Sequence, residues 1–163
     1  MPSSIGHAFA AVAIGAPLAP PRASRRFWIA GILTSVLLDI DAVGRPFGLG
    51  DLAFLGGHRA LTHSLPFALA LGLAVAWLGF RSQSWNGART RIATYLTLAA
   101  VSHGLLDTLA SYGNGVALFY PFSPVEYSAP WQPLRAVNEI WWIWLPATAL
   151  ILLTARLRRR GPR

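Results

Sequence analysis

Arginines cut this chain into apolar runs of roughly 17 to 21 residues, at positions 3–20, 27–44, 60–80, 92–112 and 136–155. A helix needs ~20 apolar residues to cross a hydrocarbon core of ~30 Å, so the pattern names the bilayer as solvent. Composition agrees, with 54% hydrophobic and 12% charged residues, against about 25% charged in soluble domains. The expected fold is an all-α integral membrane bundle of about five transmembrane helices, the first of them short and ended by Pro20-Pro21. One domain spans 1–155, and 156–163 reads as a basic cytoplasmic tail.

The net charge of +8 comes from 14 arginines and no lysine. They sit at the ends of the apolar runs and form no basic face with interleaved aromatics, which argues against a nucleic-acid partner. Read by the positive-inside rule, they orient the chain instead. Arg22, Arg25, Arg26, Arg81, Arg89, Arg91, Arg156, Arg158, Arg159, Arg160 and Arg163 fall on one side, and Arg45, Arg59 and Arg135 on the other. The N-terminus is therefore expected outside and the C-terminus in the cytoplasm.

Helix rise then places the polar residues. Counted from the nearest cytoplasmic arginine at ~1.5 Å per residue, His103 sits about 18 Å up, Asp39 about 20 Å, His7 about 22 Å, Asp107 about 24 Å and His63 about 27 Å. Four different helices thus bring histidine and aspartate to one layer in the outer half of the bilayer. An Asp deep in a membrane helix costs about 2.5–3.5 kcal/mol to insert, so such carboxylates face a partner or a wet cavity. A cation is such a partner. With no cysteine in the chain, a metal would be held by His and carboxylate, which suits zinc, manganese or iron.

His103 and Asp107, four apart, share a helical face. His58 and His63, five apart, diverge on a regular helix, so His58 is expected in the entering loop, folded back over the helix mouth. Asp39 and Asp41 also diverge unless the helix frays before Gly44 and Pro46. The metal-ligand candidates are His7, Asp39, Asp41, His63, His103 and Asp107, enough for one or two divalent ions. Arg59 and His58 are the catalytic candidates, Arg59 to hold an anionic oxygen. Thr62 and Ser64 fit as caps or as hydrogen-bond partners of the ligands. Glu139 is expected to cap the fifth helix, and Asp51 to lie solvated in an external Gly-rich loop. The run from Ser111 to Gln132, rich in Gly, Pro and aromatics, is expected to cover the site from outside.

These motifs, His7, Asp39-Ile-Asp41, His58-Arg59-x-x-Thr62-His63-Ser64, Ser102-His103-x-x-x-Asp107 and Tyr120-Pro121-Phe122-Ser123, resemble in order the YdjM-like family of bacterial inner-membrane proteins. The resemblance covers about residues 5 to 125, and Ala60 departs from it where the family often has glycine. It implies a membrane-bound metal-dependent hydrolase. Membrane lipids and an amphiphilic or periplasmic small-molecule substrate are the expected partners. Two alternatives come from other classes. His103-x-x-x-Asp107 also resembles the last motif of metal-independent lipid phosphatases with a histidine nucleophile, but Leu96-Thr97 stand where those enzymes carry Ser-Arg. A metal-binding or transport protein is the other, although the inner halves of the helices offer no polar path to the cytoplasm.

Overall fold

The computed structural model describes residues 2–21, 23–111 and 113–160. Arg22, Tyr112, Arg163 and the end of the expected basic tail lie outside the described residues. Five α-helices run as α1 (Ser4–Leu18), α2 (Arg25–Val36), α3 (Leu65–Gly79), α4 (Arg89–Thr108) and α5 (Leu145–Arg160). No strand occurs among the described residues, only two isolated bridges, Ala110 with Leu134 and Val116 with Tyr127. The fold is all-helical, as its apolar runs require.

The central helix is α4, which packs on α1, α2 and α3, while α5 leans on α1 from outside. Small residues permit these approaches. A Cβ on Gly31 would fall 1.8 Å from the Tyr95 hydroxyl, and one on Gly72 would fall 2.5 Å from the Cα of Thr97. Tyr95 is thereby wedged among α1, α2 and α4, its ring stacked on Phe27 at 4.4 Å. With Ala11, Ile92, Leu96 and Ala99 it forms a fully buried apolar plug in the half of the bundle away from the aspartates. At the end of α5, Arg158 Nη2 donates to the carbonyls of Pro17 (3.4 Å) and Ala19 (2.5 Å), satisfying acceptors that the end of α1 leaves open.

Only one continuous helix among the described residues, Ile140–Arg160, is long and apolar enough to cross a membrane; α1 and α3 are apolar but 15 residues each. Several boundaries differ from the sequence expectation. The third helix begins at Leu65 instead of Ala60, because Ser64 caps it by accepting from Phe67 N (3.3 Å). Pro66 lies in its first turn, where the missing N–H costs nothing, and so does not kink it. The fourth starts three residues earlier than its apolar run, at Arg89, and stops at Thr108. The fifth is preceded by a short 3-10 turn at Ala136–Asn138 and a π-helical stretch, Ile140–Trp144, and continues through Arg160. Glu139 serves a different helix from the one expected: its carboxylate accepts from Ser3 N and from Ser3 Oγ (2.7 Å), tying the start of α1 to the start of the last helix.

Candidate metal centre

The polar residues gather at one end of the bundle, where the start of α1, the end of α2, the start of α3 and the end of α4 meet. His7 stands in the second turn of α1, while His103 and Asp107 lie one turn apart near the end of α4. Beyond Val36 the chain tightens into a 3-10 turn, Leu37–Ala42, which carries Asp39 and Asp41. At three residues per turn these two side chains point about 120° apart, so Asp39 meets His103 and the Nε2 side of His63 while Asp41 meets His58 and the Nδ1 side of His63. The turn Leu61–His63 holds Thr62 and His63 just ahead of α3. Glycine lets it seat against α4: a Cβ on Gly104 would lie 2.3 Å from the His63 carbonyl oxygen.

His63 and His103 face each other through their Nε2 atoms at 3.0 Å. Asp39 Oδ1 lies 3.5 Å from His63 Nε2 and 3.3 Å from His103 Nε2. Asp107 Oδ2 adds a fourth atom, 3.5 Å from His63 Nε2, and its other oxygen lies 3.5 Å from His7 Nε2. The His7 ring is stacked on that of His103, with centroids 3.7 Å apart. All but the partly buried Asp39 are shut away from solvent.

These contacts suit convergence on a common centre better than they suit hydrogen bonding. Asp39 Oδ1, both Asp107 oxygens and His7 Nε2 are buried with no hydrogen-bond partner among the described residues. Buried carboxylate oxygens left in that condition are costly unless a cation compensates them. Among the described residues Arg59 Nε, 3.4 Å from Asp107 Oδ2, is the one side-chain cation beside the two aspartates, leaving Asp39 to the imidazoles alone. Tetrahedral ligands about 2.0–2.1 Å from a shared ion stand about 3.3 Å from one another. The observed separations bracket that value, so the donor set fits a transition-metal ion.

Among the described residues three overlapping groups could hold a metal ion: His7, His103 and Asp107; Asp39, His63 and His103; and Asp41, His58 and His63. The first and third share no residue and could be filled together. The middle group takes its histidines from both, and a neutral imidazole has one lone pair to give, so the middle group excludes its neighbours.

Asp41 occupies a different place from the other carboxylates. Its Oδ2 accepts from Thr62 Oγ1 (2.7 Å) and from Arg59 N (3.2 Å), and lies 3.3 Å from His63 Nδ1. Its Oδ1 meets His58 Nδ1 at 2.9 Å. Thr62 Oγ1 is also 2.9 Å from His63 Nδ1. The Nδ1 side of His63 is thus taken up by Asp41 and Thr62, which turns Nε2 toward His103. His58 folds back over this turn from the loop, as the five-residue spacing requires.

Arg59 is buried, with its Nε 3.4 Å from Asp107 Oδ2. Its backbone adopts φ 67°, a left-handed conformation that a side chain rarely takes, held by the Asp41 bond and by Ala117 N donating to its carbonyl (2.9 Å). Leu65 N donates to Leu118 O (2.8 Å), so the segment after α4 is stitched across the motif. Two contributors carried no periodicity to reveal them. Gly113 leaves room for the Arg59 guanidinium, since a Cβ there would lie 2.3 Å from Nη1, and Glu126 faces the same cavity as His58 and Arg59. Asp51 is held by Arg45 through Nε and through Nη2 (2.9 Å), and the guanidinium keeps its carboxyl below the ordinary range.

The model of the YdjM inner membrane protein family matches residues 1–161. The chain belongs to that family. This YdjM-family member is also 31% identical over 169 aligned positions to inner membrane protein YbcI of Escherichia coli (strain K12), the match covering 93% of this chain and 95% of that one. Both findings make it an inner membrane protein. No solved structure matches it.

Proposed function

We propose that this YdjM-family protein is a membrane-bound metal-dependent hydrolase whose site opens to the periplasm. The observation that carries the reading is the triangle of Asp39 Oδ1, His63 Nε2 and His103 Nε2, with sides of 3.0, 3.3 and 3.5 Å, and with Asp107 Oδ2 a further 3.5 Å from His63 Nε2. Asp39, His63, His103 and Asp107 would hold the ion, with His7 joining through Asp107. A divalent cation in this place supplies Lewis-acid activation of water and of a phosphoryl or acyl oxygen. Asp41 and Thr62 fix the ring of His63, the part played by the carboxylate in carboxylate–histidine–metal arrangements. Arg59, clamped at both its backbone N–H and C=O, presents a fixed cation for an anionic substrate oxygen. His58, bonded to Asp41, faces the cavity beside the cluster and would pass a proton.

The same reading includes five crossings, with the N-terminus outside and the C-terminus in the cytoplasm. The lateral faces support it: Ile29, Leu33, Leu69, Leu73, Leu98 and Leu152 are all exposed large apolar residues, spread over α2, α3, α4 and α5. An apolar cleft of about 380 Å³ between α1 and α2, bordered by Ile5, Val12, Ile32 and Val36, begins beside His7 and suits an acyl chain. A substrate with an apolar tail fits such surroundings.

Elemental analysis of detergent-purified protein tests the proposal, with wild type beside His63→Ala and Asp107→Ala and helicity followed in each. The expected result is about one transition-metal ion per wild-type chain, lost from both variants while the helices remain, followed by metal-dependent cleavage in an ester and phosphoester screen. A wild type that stays metal-free when zinc, manganese and iron are supplied overturns it.

A further inference from the structure

Immediately outside the ligand cluster lies a polar cavity of about 260 Å³. It is smaller than the ~300–1,000 Å³ pockets that enclose drug-sized ligands, and so suits a headgroup. Its charges are sorted by depth. At the floor are His58 and Arg59, each bonded to an aspartate of the cluster. At the rim are the Arg45–Asp51 pair and Glu126. Asp51 is committed to Arg45, whereas the exposed Glu126 makes no hydrogen bond or ion pair among the described residues.

The floor is also built to hold its shape. Arg59 has its backbone pinned by Asp41 and Ala117, and its guanidinium lies between Asp107 and the bare Cα of Gly113, itself at φ +90°. A rigid fork of donors at the bottom of a small cavity selects a phosphoryl or carboxylate group. A carboxylate at the mouth then discriminates among phosphates, because a second negative charge would meet Glu126 and a positive one would pair with it.

We infer that the cavity binds an aminoalkyl phosphate of the phosphoethanolamine type, its phosphoryl oxygens on Arg59 and its ammonium group on Glu126. The inference rests on the hydrolase proposal for the fate of the phosphoryl group, and on the cavity alone for its binding. It names a zwitterionic phosphate, free or as a lipid headgroup, as the substrate class.

The test is calorimetric titration of full-length protein in detergent, both chelated and metal-loaded, with O-phosphoethanolamine, glycerol phosphate and inorganic phosphate. Phosphoethanolamine is expected to bind roughly three- to fivefold more tightly than glycerol phosphate, the range of one exposed ion pair. Glu126→Gln is expected to erase that preference and leave phosphate binding intact. Arg59→Gln is expected to weaken every phosphate by roughly thirtyfold or more. Gly113→Ala, which crowds the guanidinium without removing it, is expected to weaken all of them in the same order. Phosphatidylethanolamine in mixed micelles separates the sources: tighter binding than the soluble compound assigns the lipid headgroup, and equal binding assigns the free one. A wild type without the preference, or a Glu126→Gln protein that keeps it, overturns the inference. Because the chelated arm reads the cavity without metal, preference without metal retention counts against the hydrolase proposal alone, and metal retention without preference against this inference alone.

Discussion

Gly104 does as much to shape the candidate site as any ligand, although it has no side chain to contribute. Its missing Cβ lets the carbonyl of His63 rest on α4 one residue from His103. A methyl group there would meet backbone, which cannot swing aside, so Gly104→Ala is expected to push the Leu61–His63 turn off the helix and widen the 3.0 Å gap between the two imidazoles. Metal affinity should fall about 10- to 100-fold, the loss typical of disturbed ligand orientation, with the helices retained. Gly79→Ala, at a position with open space around it, is the matched control and should bind metal as wild type does. Metal titration of the two variants checks this. Asp41→Asn is expected to lower affinity in the same range, since Asp41 orients His63 through Nδ1.

The helices show which parts of the fold were open to reading from the chain. The apolar runs gave the number and order of helices, and helix rise brought His7, Asp39, His63, His103 and Asp107 to one end, where the structure places them together. The entry to α3 was misread because hydropathy sees Ala60 and Leu61 as helix, whereas bonds of Thr62 and His63 to the distant Asp41 hold that stretch as a 3-10 turn. Gly113 and Glu126 sit in a segment with neither period, so only their tertiary contacts give them a role. Helix contacts elsewhere are set by glycine facing aromatic. Gly31→Ala, whose Cβ would overlap the Tyr95 hydroxyl and ring, should destabilise the bundle by about 1–3 kcal/mol, the usual cost of overpacking. Tyr95→Phe removes a buried hydroxyl that has no hydrogen-bond partner among the described residues, and should leave stability unchanged or raised by about 1 kcal/mol. Thermal unfolding in detergent reads both effects.

Taken together, the bundle suits lipid: His7, His63, His103, Asp107, Thr62 and Arg59 lie inside, and large apolar residues such as Ile29, Leu69, Leu73 and Trp77 lie exposed outside. Helices α1 and α3, at 15 residues each, span only about 22 Å at 1.5 Å per residue. They can still cross where the bilayer thins or flanking residues reach its surface, as shorter segments do at modest cost. Tryptophans such as Trp77 and Trp141, both exposed, belong at such interfaces, and Arg81 covers the ring of Trp77 at 3.9 Å. In the proposed topology the loop around Gly87 would face the cytoplasm, and the segment holding Asn114 would face the periplasm with the cavity and the ligand cluster behind it. The chain contains no cysteine, so single introduced thiols report without interference. Asn114→Cys is expected to react with a membrane-impermeant maleimide in intact cells, and Gly87→Cys only after the inner membrane is opened. The reverse pattern would invert the bundle and turn the site toward the cytoplasm. Labelling of both in intact cells would mean that α4, which lies between Gly87 and Asn114, does not cross, and would remove the five-span reading.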